Sequence, residues 1–203
     1  AGDGPVADHG YDLALTELDD SKSIVYLVRA GTDQGRSMVQ ALHFAHAPDK
    51  LVEQRHRQLQ TVRRAFIREL PDDAPVAVRR HDHPRWNDVA ERCLTCGNCT
   101  AVCPTCFCTD MDDQVGLDGN TATRTRVWDT CFSQEYSHLG AGPHRTSPAA
   151  RYRQWLTHKL GTWHDQFGES GCVGCGRCIT WCPVGIDLTA EVESLGRPVE
   201  ASS

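Results

Sequence analysis

Residues 93–104 read CLTCGNCTAVCP, and residues 172–183 read CVGCGRCITWCP. Both follow one pattern, C-x-x-C-G-x-C-x-x-x-C-P. Three cysteines at this spacing curl around one corner of a cube, so their thiolates can bind three irons of a [4Fe–4S] cluster. The fourth, three residues further on, points away and in two-cluster chains ligates the other cluster, with the proline marking the chain's exit. The spacing therefore predicts a crosswise assignment. Cluster one takes Cys93, Cys96, Cys99 and Cys182; cluster two takes Cys172, Cys175, Cys178 and Cys103. Gly97 and Gly176 are expected where a side chain would crowd a cluster and where backbone N–H groups donate to its sulfides, which raises the potential. A zinc ribbon closes with four ligands from two C-x-x-C pairs, whereas each copy here supplies four cysteines by itself.

Eleven cysteines in 203 residues is an odd count, and they are bunched: six between 93 and 108, four between 172 and 182, and Cys131 alone. A disulfide scaffold is usually shorter and even-numbered. Persistent free thiolates point to a reducing compartment, so a cytoplasmic location is expected. Cys106, Cys108 and Cys131 fall outside the repeat. They are read either as small buried residues beside cluster one or as a candidate third metal site.

The formal charge is -6 from 21 basic and 27 acidic residues, which argues against nucleic acid as a partner. Two oxidised cubanes with their ligands add about -2 each, from the sum of iron and ligand charges; Arg92, Arg177 and Lys159 are expected to offset part of that field. Mean hydropathy is -0.46, and no apolar run is long enough to predict a membrane span. The start lacks the basic-then-apolar pattern of a secretory signal. It begins on Ala1 rather than Met, so a processed or truncated start is expected. No G-x-G-x-x-G follows a strand, no G-K-[ST] phosphate loop occurs, no nucleophile set is found, and the first Cys triplet lacks C-x3-C-x2-C spacing. Nothing in the sequence reads as a substrate-processing site.

Around the motifs, residues 11–18 and 24–29 are predicted as a hairpin, with the second strand the more buried and a turn at Asp19, Asp20, Ser21 and Lys22. A loop at 31–35 precedes helices expected at 36–46 and 49–70; the second carries Leu51, Val52, Leu59, Val62, Phe66 and Ile67 on one face and a solvated charged face opposite. Residues 71–84 (PDDAPVAVRRHDHP) read as a linker, with His81 and His83 in a solvated turn. A short helix at 86–92 leads into the first motif, and 110–125 reads as a polar loop. Ser147 caps a helix with Pro148 at its first position, expected to run to about Phe167. Asp187 starts a last short helix. Trp128, Trp155 and Trp163 are expected in the core, and Trp181 as a shield of cluster two. The 68 residues between Cys103 and Cys172 are too many for a compact hairpin ferredoxin. The expected fold is α+β: an N-terminal α+β region over 1–70 and the linker, then a mainly helical dicluster ferredoxin-like domain over 85–195 and a frayed tail, 196–203.

Residues 151–160 (RYRQWLTHKL), 165–168 (DQFG) and 171–189 (GCVGCGRCITWCPVGIDLT) resemble the β, iron–sulfur subunit of cytosolic [NiFe] hydrogenases, or sulfhydrogenases, a family that also includes the iron–sulfur subunit of anaerobic sulfite reductase. So do 93–108 (CLTCGNCTAVCPTCFC), 127–131 (VWDTC) and the stretch 10–35. The resemblance covers most of 10–190. It implies a non-catalytic electron-transfer subunit with two [4Fe–4S] clusters, relaying electrons between a flavin/NAD(P)-binding subunit and a catalytic partner. That partner is the hydrogenase small and large subunits, or the catalytic subunit of a sulfite reductase. A free ferredoxin-like carrier is the remaining alternative. Family members carry further sequence before the point equivalent to Ala1, so the chain is expected to be a piece of a longer subunit.

Overall fold

A computed structural model describes residues 6–19 and 23–199. They fall into two compact units, one over residues 6–68 and one over 69–199. In the first unit, β1 (Leu13–Asp19) and β2 (Ile24–Ala30) pair antiparallel, from Leu13 opposite Ala30 to Asp19 opposite Ile24. The hairpin is as expected; the predicted turn lies largely outside the described residues. Leu18 of β1 is fully buried, whereas Leu15 of β1 and Ile24 and Tyr26 of β2 are exposed and most of the remaining β2 positions are half-buried.

Helix α1 spans Asp33–Ala41. It begins three residues earlier than predicted, because Thr32 caps it: the Thr32 hydroxyl accepts from the Gly35 N–H at 3.2 Å. Helix α2 spans Asp49–Arg64 and has no buried residue. It stops short of Phe66 and Ile67, which are exposed.

The second unit opens where a linker was expected. Residues 74–77 form α3 (Ala74–Ala77), and Ala74, Ala77 and Val78 are core residues. The three prolines and three aspartates of 71–84 suggested a spacer, but the short apolar face among them is small enough to pack closely. Helix α4 (Arg85–Arg92) buries Trp86 and Val89. Helix α6 (Pro148–Thr157) starts as predicted, the Ser147 hydroxyl accepting from Ala150 N–H. It passes into a π-helical segment (His158–Thr162), continues as α7 (Trp163–Phe167) and ends at Gly168 in a left-handed conformation. Asp187 caps α9 (Leu188–Gly196).

The core lies where α3, α4, α6, the π segment and α9 meet, with Leu156, Leu160, Val192 and Leu195 fully buried. Each such side chain stabilises the fold by ~1.5–3 kcal/mol. Glu191 fastens α9 to α4: its buried carboxylate accepts from Arg85 Nε at 2.6 Å and Arg92 Nη2 at 2.7 Å. Arg92 thus answers a carboxylate.

Two expectations fail between the motifs. The polar loop at 110–125 is a hairpin, β3 (Thr109–Val115) with β4 (Ala122–Trp128). Both strands are exposed throughout, so no apolar alternation marked them. Cross-strand pairing holds them, including the Arg124–Asp113 bridge with oxygens at 2.6 and 2.7 Å. Trp128 at its end is 78% exposed rather than core. A second, minimal pair joins β5 (His138–Leu139) to β6 (Gly142–Pro143). No helix among the described residues is long and apolar enough to cross a membrane.

Candidate iron–sulfur site

Each motif folds the same way. Its first two cysteines lie on irregular chain with a left-handed residue between them, Thr95 or Gly174, and the third sits in a one-turn helix: α5 (Asn98–Ala101) for Cys99 and α8 (Arg177–Thr180) for Cys178. The residue before each turn, Gly97 at φ +75° and Gly176 at φ +70°, is left-handed, which any other L residue adopts at a cost. That is why both motifs place glycine there. Among protein atoms, a Cβ at Gly97 would meet nothing closer than 3.5 Å and one at Gly176 nothing within 4 Å.

Helices α5 and α8 pack together, and the motifs are tied across the pair. Asn98 Nδ2 donates to the Trp181 carbonyl at 3.4 Å, and the Thr105 hydroxyl to the Gly171 carbonyl at 2.6 Å. As a result, Cys93, Cys96 and Cys99 share one cavity of ≈ 30 Å³ with Cys182, and Cys178 of the second triplet also reaches its wall. On the other side, Cys172, Cys103 and Cys175 are the thiols whose charge raises the pKa of Cys178, after burial, to about 12. Burial, first, and then neighbouring thiols likewise push Cys99 and Cys93 up. Thiols so placed become thiolates only against the positive charge of iron.

The site also fits a sulfide-rich group in its donors. Cys93 Sγ accepts from Thr95 N–H at 3.5 Å and Cys182 Sγ from Ile186 N–H at 3.3 Å. Two buried donors on the cavity wall, Tyr152 Oη and Trp155 Nε1, have no hydrogen-bond partner, a condition that costs ~1–3 kcal/mol unless something accepts. Bridging sulfides are such acceptors. Burial holds the Tyr152 phenol far above its ordinary pKa, so it keeps its proton.

Lys159, 3% exposed, serves the other tetrad. Its Nζ donates to Cys103 Sγ at 3.2 Å, Thr105 Oγ1 at 3.0 Å and the Gly171 carbonyl at 3.0 Å, filling all three donor positions. Burial opposes its charge, yet the thiols of Cys106 and Cys103 hold its pKa above the usual lysine value. The Cys103 thiol is driven down by hydrogen bonds from the Cys106 and Thr105 side chains and by the ammonium. The π segment presents Lys159 here, an example of helix irregularity at a functional position. Arg177 is exposed. Trp181 is 63% exposed, so it is a surface residue rather than a buried shield. Tyr152 and Trp155 were legible only as aromatic helix residues, since nothing in their own neighbourhood announces a partner some fifty residues away.

Two sequence models described as the 4Fe–4S dicluster domain match the chain, one over residues 92–186 and one over 46–107. The chain is a 4Fe–4S dicluster protein, with cysteine sets for two [4Fe–4S] clusters. It is also related to a particular subunit: sulfhydrogenase 2 subunit beta of Pyrococcus furiosus is 32% identical over 184 residues, an alignment covering 88% of this chain and 53% of that one. The chain thus spans about half the length of that curated relative. No solved structure matches. Among the described residues, no three His, Cys, Asp or Glu side chains close around a single metal ion.

Proposed function

We propose that the chain is the iron–sulfur relay subunit of a cytoplasmic [NiFe] hydrogenase complex, carrying electrons between a flavin/NAD(P)-binding subunit and the hydrogenase small and large subunits. The clusters supply one-electron redox chemistry when bound; the chain's own residues fix their spacing, water access and potential. Cluster one is held by Cys93, Cys96, Cys99 and Cys182, cluster two by Cys172, Cys175, Cys178 and Cys103. The observation that carries the reading is Cys182, the last member of the second motif, which lines the cavity of the first triplet along with Cys178 and is the foremost thiol neighbour of Cys93. Cys96 and Cys175, the exposed cysteine of each tetrad, are the points at which electrons would enter and leave. The relationship to a sulfhydrogenase subunit supports the choice of complex.

Oxygen-free reconstitution of the full chain should give at least about eight irons, four for each four-cysteine cluster. Cys182→Ser should remove the reducible signal of the cluster built on Cys93, Cys96 and Cys99 and leave the other in place. Loss of the cluster built on Cys172, Cys175 and Cys178 instead would refute the crosswise assignment. Purified native complex should take up hydrogen; sulfite reduction without hydrogen uptake would assign it to a sulfite reductase, and elution as a monomer would make it a free carrier.

A further inference from the structure

The two tetrads leave Cys106, Cys108 and Cys131 unused. Cys106 and Cys108 lie between Pro104 and β3, and Cys131 follows β4. Pairing of β3 with β4, closed at its base by Asp129 N–H donating to the Cys108 carbonyl at 3.0 Å, returns the chain so that all three reach one cavity. This cavity, ≈ 20 Å³, is comparable with the one around the first tetrad (≈ 30 Å³). Its wall carries three aromatic rings, Phe107, Trp155 and Trp163, and the Lys159 side chain. Trp155 also brings its buried, partnerless indole N–H to a ring that lines both cavities. Asp129 and His158 stand on the same wall. Small buried cysteines that merely fill space need neither a shared cavity nor oxygen and nitrogen donors beside them. Three soft thiolates lining one pocket are a ligand set for an iron–sulfur cluster or zinc, and the two four-cysteine motifs of the same unit favour the cluster.

We infer that Cys106, Cys108 and Cys131 hold a third iron–sulfur cluster, with its remaining corner left to a donor other than cysteine. Its place connects it to both others. Cys106 follows Cys103 of the second tetrad by three residues, and Trp155 lines both this cavity and that of the first tetrad. A centre there would join the two clusters to a third terminus. The inference rests on the two-tetrad reading only for its baseline of eight irons.

The test is iron and acid-labile sulfide content with Mössbauer spectra of the full chain purified without oxygen, beside the Cys108→Ser/Cys131→Ser double variant. Cys106 is spared because it lies three residues from Cys103. The wild type should hold about three or four irons beyond eight, one for each thiolate and at most one more, and the double variant should lose these alone. A wild type with eight irons overturns the inference without recourse to the variant, as does a double variant whose iron content equals the wild type's, or extra metal that proves to be zinc. Failure of the two-tetrad reading looks different: Cys182→Ser then leaves the first tetrad's iron in place, whatever the trio holds.

Discussion

Tyr152 is a phenol whose Oη finds no hydrogen-bond partner among the described residues. It is 2% exposed, its Oη has no acceptor, and it lines the cavity of Cys93, Cys96, Cys99 and Cys182. A cluster sulfide gains negative charge on reduction, so a donor aimed at it stabilises the reduced state more than the oxidised one. Tyr152→Phe removes only that donor and keeps the ring that packs on Trp155 at 5.4 Å and Trp86 at 6.3 Å. The potential of cluster one should fall by on the order of 40 mV, the one-electron equivalent of ~1 kcal/mol, with cluster two unmoved in an EPR-monitored redox titration. An unchanged potential would show that the hydroxyl points elsewhere. At this scale the cysteines were readable because a cluster dictates the local spacing of its ligands. Tyr152, Trp155 and Lys159 were not readable as donors, since what makes them so is a partner brought close by tertiary packing.

The joints between elements hold the site as firmly as the ligands do. Gly171 immediately precedes Cys172 and is pressed against the π segment. A Cβ there would lie 2.6 Å from the Lys159 carbonyl oxygen and 2.6 Å from the Trp163 ring. Its own N–H donates to that carbonyl at 2.9 Å, while its carbonyl accepts from Lys159 Nζ and Thr105. Because the obstruction includes backbone, the chain has to move. Gly171→Ala should therefore cost ~1–3 kcal/mol, as overpacking does, and should loosen the second cluster first. Thermal unfolding together with the rate of iron loss to a chelator checks this; a variant as stable as wild type would mean that the joint yields. Element-scale reading succeeded where a local signal exists, as at Ser147–Pro148 and Asp187. It failed over 109–128, where both strand faces are polar, and over 71–84, where three small apolar residues are buried by helices far off in sequence. It also missed the π segment, where nothing local announces the change of helical pitch.

For the molecule as a whole, all eight proposed ligands and the entire core cluster belong to the unit over 69–199, and five of those ligands, Cys93, Cys99, Cys172, Cys178 and Cys182, pack directly against that core. The other unit has no cysteine, and Leu18 is its one fully buried large side chain among the described residues. A group that binds only the folded state stabilises it by mass action, ~4 kcal/mol when present at a thousand times its dissociation constant. Here it does so through the side chains that make the core. All five tryptophans also lie in this unit, so their emission reports on it alone. Stripping the iron without oxygen should lower the midpoint of the tryptophan-detected unfolding transition and shift the emission of buried Trp86, Trp155 and Trp163 to the red as their cover loosens. Equal midpoints with and without iron would mean that the core around α4, α6 and α9 closes by itself, leaving the clusters as passengers in a fold that does not need them.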